Sequence, residues 1–389
     1  MDQQNQVSPS GIVIIGSGLA GYTLVRELRK LDKTAPITLV TREPGYFYSK
    51  PMLSTALASN KSAEQLVSTN AEGMATQLEM TILGDADVTA IDTAAQIITT
   101  SKGNIPYGKL VLGLGADQIR LPLQGNAANE VITVNDLEEY AQFRKTIEGK
   151  KRIAILGAGL IGCEFANDLV LGSYEVDVID LAPQALGRLL PEAAAQALQE
   201  KLSDAGVRWH FATTVQSIDR NADSLTITLA NGSTITSDVF LSAVGLKPRL
   251  ELAKAAGIAT SAGITVNRQL ETSAKNVFAI GDCAEVDGLV LPYVMPIMQA
   301  ARALAPNLLG QAAALTYPAM PVMVKTPSLP TIVSPPAKGA VGDWKIIPVE
   351  GGLEARFESS DGKLLGFALL GSATAQRGAL TKELPPILQ

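Results

Sequence analysis

Two copies of one pattern, an apolar strand followed by a glycine loop, organise this sequence. Residues 12–21 read IVIIGSGLAG and residues 153–162 read IAILGAGLIG. In each copy the four apolar residues predict a buried parallel strand. The Gly-x-Gly-x-x-Gly loop that follows predicts a turn into a helix whose N-terminal N–H groups can bind a pyrophosphate. One such loop is a weak indication, but two in one chain predict two dinucleotide-binding folds.

Each glycine of such a loop has its own task. The first permits the tight turn, the second lets a pyrophosphate approach the backbone, and the third lets helix and strand pack closely. The candidate nucleotide-binding residues of the first loop are Gly16, Ser17, Gly18, Leu19, Ala20 and Gly21. Those of the second loop are Gly157, Gly159, Leu160, Ile161 and Gly162.

An acidic residue about 20 residues beyond such a loop predicts a ribose contact. Asp180 ends the predicted strand 176–180 at the expected distance from the second loop. Its charge repels a 2′-phosphate, so NADH is predicted rather than NADPH, although the nearby Arg188 keeps the choice open. In the first copy Arg42 and Glu43 follow the predicted strand 37–41. Glu43 is the predicted ribose ligand there, and a solvated loop charge is the alternative.

The composition argues against several classes of protein. The 389 residues suffice for two or three domains, and 47% hydrophobic and 18% charged residues are typical of a globular enzyme. A net charge of −6 argues against nucleic acid as partner. No apolar run is long enough to span a bilayer, and residues 1–10 lack the features of a signal peptide, which predicts a cytoplasmic protein without membrane insertion. Two distant cysteines and one histidine offer no set of metal ligands.

Further strands and a third domain are predicted along the chain. The predicted elements are a helix at 59–77, strands at 80–83, 96–100, 109–116, 239–245 and 277–282, and a hairpin at 224–233 with Asn-Gly in its turn. From Pro318 onward prolines cluster, and strands are predicted near 344–357 and 364–370. This last region is predicted to be a small α+β domain.

The motifs together resemble those of the two-dinucleotide flavoprotein reductases over nearly the whole chain. The resemblance rests on both glycine loops, Gly113 and Gly115, the segment 243–249 (AVGLKPR) and the segment 277–282 (VFAIGD). It implies an α/β fold with two Rossmann-like domains of the glutathione-reductase type, FAD- and NAD-binding, plus a small α+β C-terminal domain. The implied domains are a discontinuous FAD-binding domain (1–115 and 246–317), an NADH-binding domain (116–245) and the C-terminal domain (318–389).

The resemblance also implies FAD as cofactor, NADH as substrate and a set of site residues. Asp282 is implied to hold the ribityl chain of FAD, with a helix N-cap as the alternative. The implied FAD ligands are the first loop, Arg42, Glu43, Lys50, Pro51, Gly115, Ala116, Gly281, Asp282, Val294 and Lys325. The implied NADH ligands are the second loop, Glu164, Asp180 and Gly245.

Three of these residues are implied to be catalytic: Glu164, Lys325 and Lys50. Lys325 would lie near the flavin pyrimidine edge and stabilise the reduced, anionic flavin. Glu164 would face the nicotinamide and the flavin. The alternatives are a solvated lysine in a proline-rich loop and an acid stabilised by the helix dipole.

The electron acceptor is predicted from what the chain lacks and from one loop. Disulfide reductases of this family carry a redox cysteine pair beside the flavin, which this chain lacks. Coenzyme A disulfide reductases and NADH oxidases need one redox cysteine in the loop where this chain has Tyr48, Ser49 and Lys50. Cys163 and Cys283 are expected only to pack. The segment 50–54 (KPMLS) resembles a loop of the ferredoxin- and rubredoxin-reductase branch. Thr55 stands where that branch often has a lysine that pairs with a glutamate near the flavin. The partner of Glu164 is therefore open, and Lys50 is a candidate.

The C-terminal region resembles that of the compact bacterial rubredoxin reductases. The similarity lies in segment 322–327 (VMVKTP) and segment 383–385 (ELP). It implies that electrons pass one at a time to rubredoxin, a small acidic iron protein, in a transient complex. Lys50, Arg42 and Lys325 are candidates for a basic docking patch. The open alternatives are a ferredoxin or a flavorubredoxin as acceptor, and a nucleotide-sensing flavoprotein that controls a partner.

Overall fold

The computed structural model of the chain describes residues 11–389. The predicted absence of a signal peptide concerns residues 1–10 and lies outside the described residues. Between residues 11 and 389, no helix combines the length and the apolar character needed to cross a bilayer.

Nine helices and 26 strands form the described part of the chain. The helices are α1 (Leu19–Leu31), α2 (Ala63–Leu66), α3 (Ala71–Gln77), α4 (Leu137–Ile147), α5 (Leu160–Leu171), α6 (Glu192–Asp204), α7 (Glu251–Ala255), α8 (Val294–Leu308) and α9 (Arg377–Glu383). The strands up to residue 156 are β1 (Ile12–Ile15), β2 (Ile37–Val40), β3 (Phe47–Tyr48), β4 (Val67–Thr69), β5 (Thr81–Leu83), β6 (Val88–Asp92), β7 (Ile97–Thr100), β8 (Gly103–Pro106), β9 (Lys109–Leu112), β10 (Ala116–Gln118) and β11 (Arg152–Leu156). The later strands are β12 (Glu175–Ile179), β13 (Val207–His210), β14 (Val215–Asn221), β15 (Ser224–Leu229), β16 (Thr234–Ser237), β17 (Val239–Ser242), β18 (Leu246–Pro248), β19 (Ile264–Val266), β20 (Val277–Ala279), β21 (Ala284–Val286), β22 (Val322–Val324), β23 (Thr331–Ser334), β24 (Asp343–Val349), β25 (Gly352–Glu358) and β26 (Leu364–Gly371). Short 3₁₀ turns cover Lys50–Thr55, Ala128–Glu130, Gly281–Cys283 and Ser372–Gln376.

A parallel five-stranded sheet forms the centre of the first compact unit, residues 11–50, 67–117 and 247–317. Its strand order is β20-β9-β1-β2-β5, and all four residues of the central β1 are buried. Ile15 and Ala279 both lie level with Leu112 of the strand between them. The first glycine loop and the segment that follows Ala279 therefore leave the sheet at the same edge, where parallel sheets place ligands.

The second compact unit comprises residues 51–66, 118–246 and 318–389, and it contains a second parallel sheet. The strand order is β13-β12-β11-β17, and Leu156 lies level with Ile179 and Ser242. The second glycine loop, Asp180 and the segment after Ser242 consequently meet at one sheet edge.

The C-terminal part of the second unit is an antiparallel sheet of order β22-β23-β26-β25-β24. Its middle strand β26 contacts α6 and α9, and Phe367 and Leu369 are fully buried in its core. Strand β22 and the turn that follows it carry Lys325 to the Glu164 carboxylate described below.

Most predicted strands are present, and one predicted helix is wrong. The hairpin β15–β16 turns at Gly232, which has a φ of +85°. Residues 59–77 do not form one helix, because Val67–Thr69 is a strand that pairs with Phe47–Tyr48 between two short helices. The predicted domain boundaries stay a prediction; the two compact units group the C-terminal region with the segment that holds the second glycine loop.

Candidate functional site

The first glycine loop leaves open space beside its middle glycine. Gly16 has a φ of +113°, and a Cβ there would overlap the carbonyl oxygen of Gly113. A Cβ on Gly21 would overlap the carbonyl oxygen of Gly16, so helix and strand touch through these glycines. In contrast, a Cβ on the exposed Gly18 would have no atom within 4 Å, and no side chain caps α1. The N–H groups at the start of α1 are thus available to an anion.

Asp282 lies at the same sheet edge, next to the start of α1. Gly281 has a φ of +82°, and its own Cβ would lie 3.0 Å from the Cβ of Ala20. Burial raises the pKa of Asp282, and the positive charges of Lys50 and Arg249 act against that rise. Within residues 11–389 the carboxylate accepts no hydrogen bond. A half-buried carboxylate of this kind fits the hydroxyl groups of a bound sugar or ribityl chain.

Two arginines meet at Asp117 in the first unit. Arg249 Nε donates to Asp117 Oδ1 at 2.7 Å and its Nη1 donates to the Leu114 carbonyl at 2.9 Å. Arg42 Nη2 lies 3.9 Å from the same Oδ1. Burial opposes ionisation of Asp117, but the hydrogen bond and charge of Arg249 hold the pKa below its ordinary value.

Glu43 follows the strand next to the first loop, and its neighbours tie it to that loop. Tyr48 donates its hydroxyl hydrogen to Glu43 Oε2 at 3.3 Å, and Thr41 Oγ1 accepts the Glu43 N–H at 3.2 Å. The same Thr41 oxygen is hydrogen-bonded to Ser17 Oγ of the loop at 2.9 Å. Thr41 therefore connects Glu43, the predicted ribose ligand, to Ser17 of the loop through hydrogen bonds.

The second glycine loop repeats the geometry of the first. Gly157 has a φ of +109°, and its Cβ would lie 2.6 Å from the carbonyl oxygen of Ala243. A Cβ on Gly162 would overlap the Gly157 carbonyl oxygen. Gly159 is exposed, a Cβ there would have no atom within 4 Å, and no side chain caps α5. The open middle glycine again marks room for a ligand.

The Asp180 carboxylate lies directly against this loop. Its Oδ2 accepts the N–H of Ala158 at 2.5 Å and its Oδ1 accepts the N–H of Ala182 at 2.7 Å. The Asp180 N–H donates to the His210 carbonyl at 3.0 Å. Each carboxylate oxygen keeps lone-pair capacity for a further donor such as a ribose hydroxyl.

Glu164 forms an ion pair with Lys325 inside the second unit. Glu164 Oε2 accepts the Lys325 ammonium and the Ser54 hydroxyl, both at 2.5 Å, and Oε1 accepts the Lys325 backbone N–H at 3.0 Å. The Glu164 side chain is only 5% exposed. The cation that pairs with Glu164 is thus Lys325, whereas the sequence made Lys50 the candidate. Lys50 lies in the first unit, where its charge acts on Asp282 and Asp117.

The other predicted ligands lie at turns and helix starts. They are Pro51 in the turn Lys50–Thr55, Gly115 (φ +70°), Ala116 (buried, in β10), Gly245 (φ +116°), Leu160 and Ile161 at the start of α5, and Val294, the exposed first residue of α8. Among residues 11–389 no group of three or more His, Cys, Asp or Glu side chains is placed to hold a metal ion.

Four residues at these sites were missed as functional candidates. Ser54 and Arg249 stood inside quoted motifs without a role, and the structure places them on Glu164 and Asp117. Asn167 and Asp168 follow Glu164 by one turn and are almost fully buried. Their signal in the sequence was polar character inside the otherwise apolar helix LIGCEFANDLVL.

Comparison with known proteins assigns the chain to a family. The family described as pyridine nucleotide-disulphide oxidoreductase matches residues 10–306. The chain belongs to this family. A second match, described as a rubredoxin binding C-terminal domain, covers residues 314–384.

Two relatives of this pyridine nucleotide-disulphide oxidoreductase align over nearly their whole length. A rubredoxin-NAD(+) reductase of Alcanivorax borkumensis is 45% identical over 378 residues, 97% of this chain and 99% of the relative. A rubredoxin-NAD(+) reductase of Acinetobacter baylyi is 46% identical over 386 residues, 97% and 98% of the two chains. The crystal structure of a ferredoxin reductase from Rhodopseudomonas palustris has a TM-score of 0.87 and 27% identity, covering 97% of this chain and 95% of that one. The predicted fold class is confirmed.

Both cysteines of this pyridine nucleotide-disulphide oxidoreductase are free thiols in the protein interior. The Cys163 thiol donates to the Ala158 carbonyl at 3.3 Å, and the Cys283 thiol donates to the Leu112 carbonyl at 3.4 Å. Burial raises the pKa of both thiols, that of Cys283 to about 11. Neither has the thiolate character that redox cysteines need.

Proposed function

We propose that the protein is a rubredoxin–NAD+ reductase that passes electrons from NADH through FAD to rubredoxin. The match of residues 314–384 to a rubredoxin binding domain, in a chain that also has two open glycine loops, carries this proposal. Two reductases of that name that align over 97% of the chain support it.

The residues described above fit FAD and NADH as bound groups. The first loop, Glu43 and Asp282 would hold FAD, and the second loop with Asp180 would hold NADH. Bound FAD supplies the chemistry of accepting a hydride and releasing electrons one at a time. The chain itself positions the two nucleotides and supplies charge.

We propose that Glu164 and Lys325 act at the reacting rings, as the family resemblance implies. Their ion pair holds a positive charge against a negative charge whose side chain is only 5% exposed. Electrostatic stabilisation of that kind costs little reorganisation during the reaction. Arg42, Lys50 and Lys325 remain the proposed basic contacts for rubredoxin, although Asp117 and Glu164 offset two of these charges. A cytoplasmic location is part of the proposal, and fractionation of cells tests it.

An absorbance experiment on the FAD-loaded protein tests the proposed function. NADH is expected to bleach the flavin band, and rubredoxin is expected to restore it within a stopped-flow measurement. If a ferredoxin or a flavorubredoxin reoxidises the flavin faster than rubredoxin does, that carrier is the acceptor instead of rubredoxin. A protein that takes up no FAD would reject the proposed function. Slow reoxidation by every carrier, together with a long-lived NADH-reduced complex, would favour the nucleotide-sensing flavoprotein.

The open space at Gly159 gives a first prediction. Gly159→Ala is expected to leave the melting temperature unchanged, because the added methyl group meets no protein atom. The methyl group occupies the place of the pyrophosphate, so the Kd for NADH is expected to rise by about tenfold or more. Isothermal titration calorimetry with NADH measures the change in Kd. The matched control is Gly157→Ala, which is expected to destabilise the fold because its Cβ would lie too close to Ala243 and its φ is positive. Equal NADH affinity in Gly159→Ala and wild type would contradict the assignment of the second loop to NADH.

The Asp180 carboxylate gives a second prediction. Asp180→Asn removes the charge that repels a 2′-phosphate, so the preference for NADH over NADPH, expressed as a ratio of kcat/KM values, is expected to fall by about tenfold. Steady-state kinetics with both nucleotides measure the ratio. The control Arg188→Ala is expected to lower the activity with NADPH alone. An unchanged ratio in Asp180→Asn argues that the carboxylate serves only the loop N–H groups.

A further inference from the structure

Helix α5 carries three polar side chains in its buried face. Glu164 is 4% exposed, Asn167 is 0% exposed and Asp168 is 3% exposed. Buried polar groups in native proteins are hydrogen-bonded, so their partners show what they hold. All of these partners lie in two segments of the same unit, around Ser54–Ala58 and Lys325–Ser328.

Asn167 is bonded to a single residue through both ends of its amide. Its Nδ2 donates to Ser328 Oγ at 2.7 Å, and its Oδ1 accepts the Ser328 backbone N–H at 3.1 Å. Three residues before Asn167 in the helix, Glu164 accepts the N–H and the ammonium group of Lys325, which lies three residues before Ser328. Helix α5 therefore holds the segment 325–328 at two points, one turn apart.

A turn over residues 326–329, which overlaps this segment, is closed by its own hydrogen bonds. The buried Thr326 donates its hydroxyl hydrogen to the Leu329 carbonyl at 2.8 Å, and the Leu329 N–H donates to the Thr326 carbonyl at 3.0 Å. Pro327 further limits the backbone. A displacement of Ser328 is therefore transmitted to Lys325 instead of being absorbed between them.

We propose that Asn167 is a positioning residue that sets the place of the Lys325 ammonium group through Ser328. Glu164 binds the ammonium group and the backbone N–H of Lys325 and so holds one end of the segment, but it makes no contact with Ser328 at the other end. The paired amide bonds of Asn167 supply the directional restraint. The effect of this restraint on bound FAD rests on the proposed function; the restraint itself does not.

The first test measures the restraint without any catalytic readout. Asn167→Leu keeps the approximate volume and removes both bonds to Ser328. Hydrogen exchange at the amides of residues 325 and 328 is expected to accelerate by about tenfold, which lies in the lower part of the range for the loss of two net hydrogen bonds. Ser328→Ala, which loses the hydroxyl but keeps the backbone bond, is expected to give a smaller increase and serves if Asn167→Leu does not fold. The control Ser372→Ala loses a hydroxyl bond to the Glu350 carbonyl in the same domain and is expected to leave exchange at 325 and 328 unchanged.

The second test separates a positioning role from a merely structural one. The equilibrium between the FAD-loaded protein and a redox dye gives the ratio of oxidised to reduced flavin. Asn167→Leu is expected to change this ratio by about fourfold, the order of effect of an ångström-scale displacement of a nearby unit charge at an effective dielectric constant near 20. In a Lys325→Met background the same substitution is expected to change the ratio by less than about twofold, because no ammonium group is left to displace.

The outcomes keep the two proposals apart. Equal effects of Asn167→Leu with and without Lys325, or unchanged exchange at 325 and 328 in both variants, overturn the inference about Asn167. A wild-type protein that does not pass electrons from NADH to rubredoxin rejects the proposed function, while the exchange measurement still decides whether Asn167 restrains the segment.

Discussion

Lys325→Met is expected to lower the free energy of unfolding by about 3 kcal/mol. The substitution keeps the length of the side chain but removes the positive charge that, among residues 11–389, pairs with the Glu164 carboxylate. That carboxylate is 5% exposed, and the Ser54 hydroxyl and one backbone N–H would be its remaining partners. Removing one member of a buried ion pair costs about 3–5 kcal/mol, and the 27% exposure of Lys325 places the effect at the lower end. Urea unfolding of the FAD-loaded protein at neutral pH measures it.

Two further variants show whether the cost comes from the unpaired charge. The double variant Glu164→Gln with Lys325→Met is expected to regain most of the lost stability, because no ion remains buried without a partner. The control Lys345→Met breaks a pair with Glu358 in the same domain, also 2.5 Å long but with a lysine 62% exposed. It is expected to cost less than about 1 kcal/mol. A loss in Lys325→Met no larger than in Lys345→Met would show that the pair with Glu164 is solvated.

The glycine loops could be predicted because their requirements are local. Gly16 and Gly157 need positive φ values, and Gly21 and Gly162 need the absence of a Cβ, all within one strand–turn–helix unit. The apolar runs before them could be predicted as central strands, because a strand that is buried on both faces of a parallel sheet needs a continuous run of apolar residues. In the segment 59–77 local composition failed, because pairing of Val67–Thr69 with Phe47–Tyr48 outweighed helix propensity.

The partner of Glu164 could not be predicted, because it comes from 161 residues further along the chain. The segment 50–55 showed only that Thr55 cannot supply the cation expected to pair with Glu164. Asn167 and Asp168 were missed because a polar residue in a helix is ordinarily solvated. Their burial depends on the segments 51–66 and 318–389 covering α5, which no helical periodicity indicates. The roles of Glu164, Lys325 and Lys50 at the flavin stay predictions.

Ionisation of Asp168 at pH 7 is expected to lower the free energy of unfolding by about 3 kcal/mol, relative to a protein in which this carboxyl group is protonated. Burial raises the pKa of Asp168 to about 6, although the N–H groups of Ala58 and Leu57 donate to its carboxylate, both at 2.9 Å. An unfolded aspartate has a pKa near 3.9. Between about pH 4 and pH 6 the folded chain therefore binds more protons than the unfolded chain, and the free energy of unfolding decreases as the pH rises. Above about pH 6 both states are ionised and this contribution is constant.

The difference in unfolding free energy between Asp168→Asn and wild type isolates this titration, because every other ionisable group is common to both proteins. The amide offers only one acceptor to two N–H donors, so the variant is expected to be less stable than wild type at pH 4.5. Its relative stability is expected to improve towards pH 7, as wild type loses the benefit of the protonated group. The control is Asp238→Asn, because hydrogen bonds and the charge of Arg152 overcome the effect of burial and hold the pKa of Asp238 at about 2. That group is ionised in both states above about pH 5, so its difference from wild type is expected to be flat from pH 5 to 7. A flat difference for Asp168→Asn as well would mean that water reaches the carboxylate and that the hold of α5 on residues 57 and 58 is looser than their hydrogen bonds indicate.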